Sequence, residues 1–159
     1  MSTLADRRRR FRELHARGCF VIPNPWDVGT TRWLGSLGFD AVATTSAGVA
    51  FSAGLPDTAV GRDAMLAHIR GIVAATDLPV NADFEAGYAD DLDAMAENVR
   101  LCVDAGVAGL SIEDARGHQA DAFWDVDTAA RRVAAARKAI DASGADVVLT
   151  GRAECFLHG

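Results

Sequence analysis

The stretch "AGVAGLSIED", Ala105–Asp114, decides the fold. Gly106 stands where a preceding helix would end, because a helix C-terminus favours a residue that reaches the left-handed region. A small connector follows, then the short apolar run 108–113, then the carboxylates Glu113 and Asp114. "LGFDAVATTS" (37–46) and "SGADVVLTGR" (143–152) repeat the pattern of helix end, glycine, connector, strand and polar tip, with Gly38 and Gly144 as the glycines. The runs "CFVIP" and "LPVNAD" complete five predicted strands, at 19–23, 40–44, 78–83, 108–113 and 146–151. None alternates strictly, as expected for strands buried on both faces of a parallel sheet.

Between these runs lie helical segments. From Arg62 to Ala75, Met65, Leu66, Ile69, Ile72 and Val73 share one face; from Leu92 onward, Leu92, Met95, Val99, Cys102 and Val103 do the same. An N-terminal helix is predicted over 3–17, with Leu4, Phe11 and Leu14 as its apolar stripe and Arg7–Arg10 on a solvated face. Repeated βα units imply a parallel α/β architecture, either an open doubly wound sheet or a (β/α)8 TIM-type barrel. Two features favour the barrel. "PNPWDVG" follows the first strand where a dinucleotide-binding sheet would carry a glycine-rich fingerprint. Polar residues also follow nearly every strand, and in a barrel those tips converge on one mouth. Residues 1–159 are expected to form a single domain supplying about the first five βα units of such a barrel, which needs eight to close.

Composition narrows the function. Half the 159 residues are apolar, and the net charge of −6 argues against nucleic acid or an anionic membrane as partner. No apolar h-region follows the N-terminal arginines, and no run reaches membrane-spanning length. Cys19, Cys102 and Cys155 are scattered, which favours reduced core thiols in a cytoplasmic protein. Lys138 is the only lysine and lies in the helical stretch "AARRVAAARKAID". Schiff-base and pyridoxal-phosphate chemistry need a lysine in the site, so both are disfavoured.

The chemistry-bearing residues are mostly acids. Asp83 and Glu85 follow one predicted strand, Glu113 and Asp114 the next, and neighbouring strands lie only about 5 Å apart. Carboxylates so close repel and raise one another's pKa unless a cation offsets them. Oxygen ligands without His or Cys suit Mg²⁺ or Mn²⁺. The alternative is solvated loop acids and helix caps: that is the reading for Asp90 and Asp91, which precede a helix, while Asp83 and Glu113 stand open between the two. Arg152, beside Glu154, is either a structural ion pair or a fork for a substrate carboxylate. In "TTSAGVAFSAGLPD" (44–57), Ser46, Ala47 and Gly48 could aim a hydroxyl and backbone N–H groups at an oxyanion, with Asp57 in a flexible loop.

Five motifs in order carry a resemblance: "NPWDVGTTRWLGSLGFDAVATTSAG" (24–48), "GLPD" (54–57), "VNADFEAGY" (80–88), "SIED" (111–114) and "TGRAE" (150–154). Together they resemble the isocitrate lyase / phosphoenolpyruvate mutase superfamily over residues 10–159. The resemblance implies a (β/α)8 barrel, assembled as a homo-oligomer when full length, that uses Mg²⁺ to bind a small 2-keto or enolpyruvate-like acid. Carried over by position, Ser46 with the backbone at Ala47 and Gly48 would bind substrate oxygens. Asp83 and Glu113 would hold the metal with Glu85 in support, Asp57 would lie near the metal water, and Arg152 would clamp the carboxylate.

The sequence departs from the family pattern in two places. Asn81 stands where much of the family has the first Asp of an Asp-x-Asp pair. "ARGHQADAFWD" (115–125) replaces the Lys-Lys-Cys-Gly-His loop of the lyases, leaving Arg116 or His118 as proton donor and disfavouring isocitrate, methylisocitrate and phosphonopyruvate chemistry. The expectation is a Mg²⁺-dependent lyase-type enzyme acting on a small 2-keto or 2-hydroxy diacid through an enolate-like intermediate. The alternative is an inactive partial barrel that binds a small acid without turnover.

Overall fold

Gly38, Gly106 and Gly144 all adopt the left-handed conformation, with φ of 85°, 95° and 68°. Each follows the C-cap of a helix and turns the chain into the next strand. The computed structural model describes residues 2–117 and 123–155. Its elements are α1 (Leu4–His15), α2 (Val28–Ser36), β1 (Val42–Ala43), α3 (Ser46–Ser52), α4 (Arg62–Ala75), β2 (Val80–Asp83), α5 (Leu92–Asp104), β3 (Gly109–Glu113), α6 (Val126–Ala142) and β4 (Val148–Arg152). The strands pair in parallel in the order β1-β2-β3-β4, as in the successive βα units of a barrel wall. No described helix is long and apolar enough to cross a membrane.

Alternation along the strands gives the sheet two different faces. Ala82, Leu110 and Ile112 pack against Met65, Leu66 and Ile69 of α4, Met95, Val99 and Cys102 of α5, and Ala136 and Ile140 of α6. Val42 and Val80 meet Ile72 in a smaller cluster. The other face is polar: Asn81 pairs in register with Gly109, Asp83 with Ser111, Ser111 with Thr150, and Glu113 with Arg152.

Five expectations change. The run 19–23 forms no ladder with β1; among the described residues it contributes the Pro23 carbonyl, which accepts from the Ala43 N–H at 3.0 Å. Prolines at 23 and 25 have no N–H to donate, which prevents regular pairing there. Residues 46–52, read as loop, form α3 because Thr45 caps it, its hydroxyl accepting from the Gly48 N–H at 3.1 Å. Of the three cysteines only Cys102 is buried, while Cys19 and Cys155 are exposed. Asp91 caps α5 as expected, but Asp90 is an exposed turn residue and no cap.

The arginine run is the fifth. Thr3 and Asp6 form a capping box that starts α1. Arg7 Nη1 then donates to the carbonyls of Val73 and Thr76 at the end of α4. Arg8 donates to those of Val103, in the last turn of α5, and Val107, just beyond it. Arg10 pairs with Asp40 and Arg12 with Asp146. Arg9, bridged to Asp6 and Glu13, keeps the solvated role predicted for the whole run. Helix α1 thus lies across the N-terminal ends of the strands. Phe11 is buried there with Ala41 and Ala108. Its ring sits so near Gly109 that a Cβ at that position would lie 2.4 Å from Phe11 Cε1.

Candidate active site at the strand tips

The polar face of the sheet lines a cavity of about 490 Å³ that runs from Phe11 and His15 of α1 to the residues at the C-terminal ends of the strands. Its wall includes Ser46, Ala47, Asp57, Asp83, Glu85, Glu113, Arg152 and Glu154, so residues from all five motifs reach one space. At its centre is Arg152. One nitrogen, Nη1, contacts Asp83 Oδ1 at 3.0 Å and Glu113 Oε1 at 2.9 Å, while Nε contacts Glu154 Oε1 at 2.7 Å. Asp83 and Glu113 therefore point to a common place from neighbouring strands.

Each carboxylate is fixed from behind. Asp83 Oδ2 accepts the backbone N–H and the hydroxyl of Ser46, both at 2.8 Å, and the Asp83 N–H donates to Thr44 Oγ1 at 2.9 Å. The Glu113 N–H donates to the Glu85 carbonyl at 2.9 Å. Glu85 itself has φ of 46°, uncommon for a residue with a side chain, and its Oε1 accepts from the Tyr88 hydroxyl at 2.9 Å. Asp57 holds the next backbone N–H, that of Thr58, and faces the cavity. Gly48 departs from expectation: its N–H belongs to the Thr45 cap and does not serve an oxyanion. His118 lies outside the described residues. Lys138 is exposed on α6, away from the cavity, as expected.

The electrostatics follow from this crowding. Asp83 and Glu113 are only 13% and 12% exposed. Burial pushes the Glu113 carboxyl up to about 8; Arg152 opposes the rise, and Asp83, Glu154 and Glu85 add to it. Burial lowers the Arg152 pKa, but Glu113, Asp83 and Glu154 outweigh it, so the guanidinium is held more firmly charged than usual. Burial, then Glu85, keeps the Tyr88 phenol protonated far above its ordinary range. One cation thus faces several acids, and the place they share has an excess of negative charge.

Among the described residues no three acid, histidine or cysteine side chains are already arranged around a metal position. What the chain offers is two carboxylates directed at one point, with Glu85 on the same wall. Such a pair, completed by water and substrate oxygens, is a usual way to hold Mg²⁺. The donor set fits a hard dication.

Two groups that hold the site escaped the sequence reading. Asn98 of α5 is buried and donates to the Gly87 carbonyl at 2.9 Å. Arg132 of α6 is buried and donates to the carbonyls of Ala86, Ala89 and Asp90. The signal for Arg132 was its spacing, because 132, 136 and 140 recur at helical period on the buried face of α6.

A parallel βα array with carboxylates and one arginine gathered beyond its strand ends defines the α/β-barrel class, whose polar sites lie at that mouth. Residues 11–159 match the family model of phosphoenolpyruvate phosphomutase. A crystal structure of a candidate lyase/mutase from Burkholderia cenocepacia J2315 superposes with a TM-score of 0.92 at 51% identity, covering 98% of this chain and 57% of that one. An uncharacterized protein of Mycobacterium tuberculosis H37Rv is 36% identical over 130 residues, 80% of this chain and 48% of its own length. The 2,3-dimethylmalate lyase of Eubacterium barkeri is 36% identical over 103 residues, 64% of this chain and 35% of that enzyme. The chain belongs to the phosphoenolpyruvate phosphomutase family, within the PEP mutase/isocitrate lyase superfamily. It spans half or less of the length of these two relatives.

Proposed function

We propose that this chain carries the metal- and acid-binding half of a Mg²⁺-dependent lyase-type site that acts on a small 2-keto or 2-hydroxy acid. The observation that supports it is the meeting of Asp83 and Glu113 at one nitrogen of Arg152. Asp83 and Glu113, with Glu85 beside them, would hold the ion, which supplies Lewis-acid stabilisation of negative charge developing next to a carboxylate. Arg152 pairs with the substrate carboxylate, for which its planar fork is suited. Ser46, already fixed by Asp83, and the Ala47 backbone border the substrate oxygens. Asp57 sits where a carboxylate can hold or accept a proton from water. A bond next to the acid's carbonyl or hydroxyl carbon then breaks through an enolate-like intermediate.

A second reading is binding without turnover. It is favoured by Arg152 already satisfying both carboxylates, an arrangement stable without further ligands. The test is Mg²⁺-dependent breakdown of oxaloacetate and related 2-keto and 2-hydroxy acids, by this chain, by any longer form of it, and by an Asp83→Ala variant. Turnover that needs both Mg²⁺ and Asp83 supports the lyase reading. Mg²⁺-dependent acid binding without product supports the second. Equal rates with and without Asp83 remove it from the site.

A further inference from the structure

Arg132 is the largest side chain wholly buried in the described chain, at 1% exposure. An apolar residue would fill that face of α6 without bringing a charge into the interior, so the arginine needs a reason. Its compensation comes from backbone. Nη1 donates to the Asp90 carbonyl at 2.8 Å, and Nη2 donates to the carbonyls of Ala89, at 2.6 Å, and Ala86. Those carbonyls belong to the turn after β2, where Glu85, Gly87 and Tyr88 all have positive φ, at 46°, 80° and 58°. Such a turn persists only when its surroundings over-determine it. The guanidinium also lies over the Trp124 ring at 4.5 Å, with Arg116 over the same ring at 4.4 Å. The Trp124 backbone N–H in turn donates to the Asp114 carbonyl at 2.9 Å. Arg132 therefore touches the segment behind Glu85 and, through an indole, the segment behind Glu113.

We propose that Arg132 is a positioning residue. It latches the strained turn 85–90 and joins it through Trp124 to the segment after β3, so that Glu85 and Glu113 keep their orientation at the cavity. The guanidinium does not reach the cavity itself. What the latched groups do there rests on the function proposed above.

The experiment compares wild type with Arg132→Met, which keeps the length and loses the donors. Hydrogen–deuterium exchange and Mg²⁺ titration are the two readouts. The expected result is a selective effect: segments 84–91 and 113–117 exchange about 10-fold faster while α4 is unchanged. The apparent Mg²⁺ affinity falls by about 10-fold, the usual scale for a residue that orients metal ligands. Faster exchange spread evenly over α4, α5 and α6 would show a packing group and overturn the proposal. So would a selectively loosened turn with undiminished Mg²⁺ affinity. If wild type itself shows no Mg²⁺ response, the functional reading fails, and the exchange pattern alone supports or overturns the latch. If Arg132→Met does not fold, Arg132→Lys, with its charge kept and fewer donors, is read by the same outcomes.

Discussion

Ser46 gives both its backbone N–H and its hydroxyl to a single oxygen of Asp83, each at 2.8 Å, across 37 residues of sequence. The other oxygen of Asp83 is left to Arg152. The start of α3 and the tip of β2 are thereby locked together at the cavity wall.

Replacing Asp83 with Ala leaves two donors of a buried serine unpaired. The expected loss of stability is about 1–3 kcal/mol, read by urea denaturation, together with loss of any Mg²⁺-induced thermal shift. Asp83→Asn retains an acceptor for Ser46, so its stability loss is smaller while its Mg²⁺ response is lost equally.

Glu113 gives the chain a pH dependence of definite sign. Its carboxyl rises from an ordinary 4.5 to about 8 on folding, chiefly through burial. The folded chain therefore binds this proton more tightly than the unfolded chain does. That stabilisation is complete below pH 4.5 and is lost as pH rises through 8. The denaturation midpoint of the metal-free protein should fall across this window. Glu113→Gln removes this group's share of the slope, and added Mg²⁺ reduces it in wild type by offsetting the carboxylate charge.

Two adjacent arginines of α1 should behave oppositely. Arg8 is committed to the Val103 and Val107 carbonyls, both at 3.0 Å. Arg8→Met should cost about 1–3 kcal/mol by stranding buried acceptors. Arg9 is exposed and, among the described residues, is bridged to Asp6 and Glu13 on its own helix. Arg9→Met should change stability by less than about 0.5 kcal/mol in the same assay.

Gly109 is held to glycine by close approach. An added Cβ would come 2.4 Å from Phe11 Cε1 and 2.6 Å from Asn81 Oδ1. Gly109→Ala should destabilise by about 1–3 kcal/mol through overpacking. Combined with Phe11→Leu, the two losses should be less than additive, as a double-mutant cycle would measure for residues in contact.

The wall of the barrel was legible because its signals are local and repeated. Helical periodicity in 62–75 and 92–104 marked the buried faces, and the three glycines marked the turns into strands. The convergence of Asp83, Glu113 and Arg152 was legible for the same reason, because parallel strands carry residues at their ends to one side. The reading failed where long-range partners decide. Arg8 and Arg9 look alike in sequence, yet carbonyls nearly a hundred residues away separate them. Gly48 looked available until Thr45 claimed its N–H. The cavity-facing exposure of Glu85 depends on a turn that Arg132 holds from another helix, with no local mark of that contact.

Helix α1 reaches a residue just ahead of every strand in the sheet: Asp40 before β1, Asp77 before β2, Val107 before β3 and Asp146 before β4. It precedes all four described strands in the chain, yet its berth is complete only when the fourth has joined. The bond from Arg12 to Asp146 closes a span of 134 residues, so seating of this helix is a late, non-local event in assembly. A reporter on Phe11 or His15 would therefore register the docking of β4 onto the sheet, so that one helix keeps the record of four strand additions.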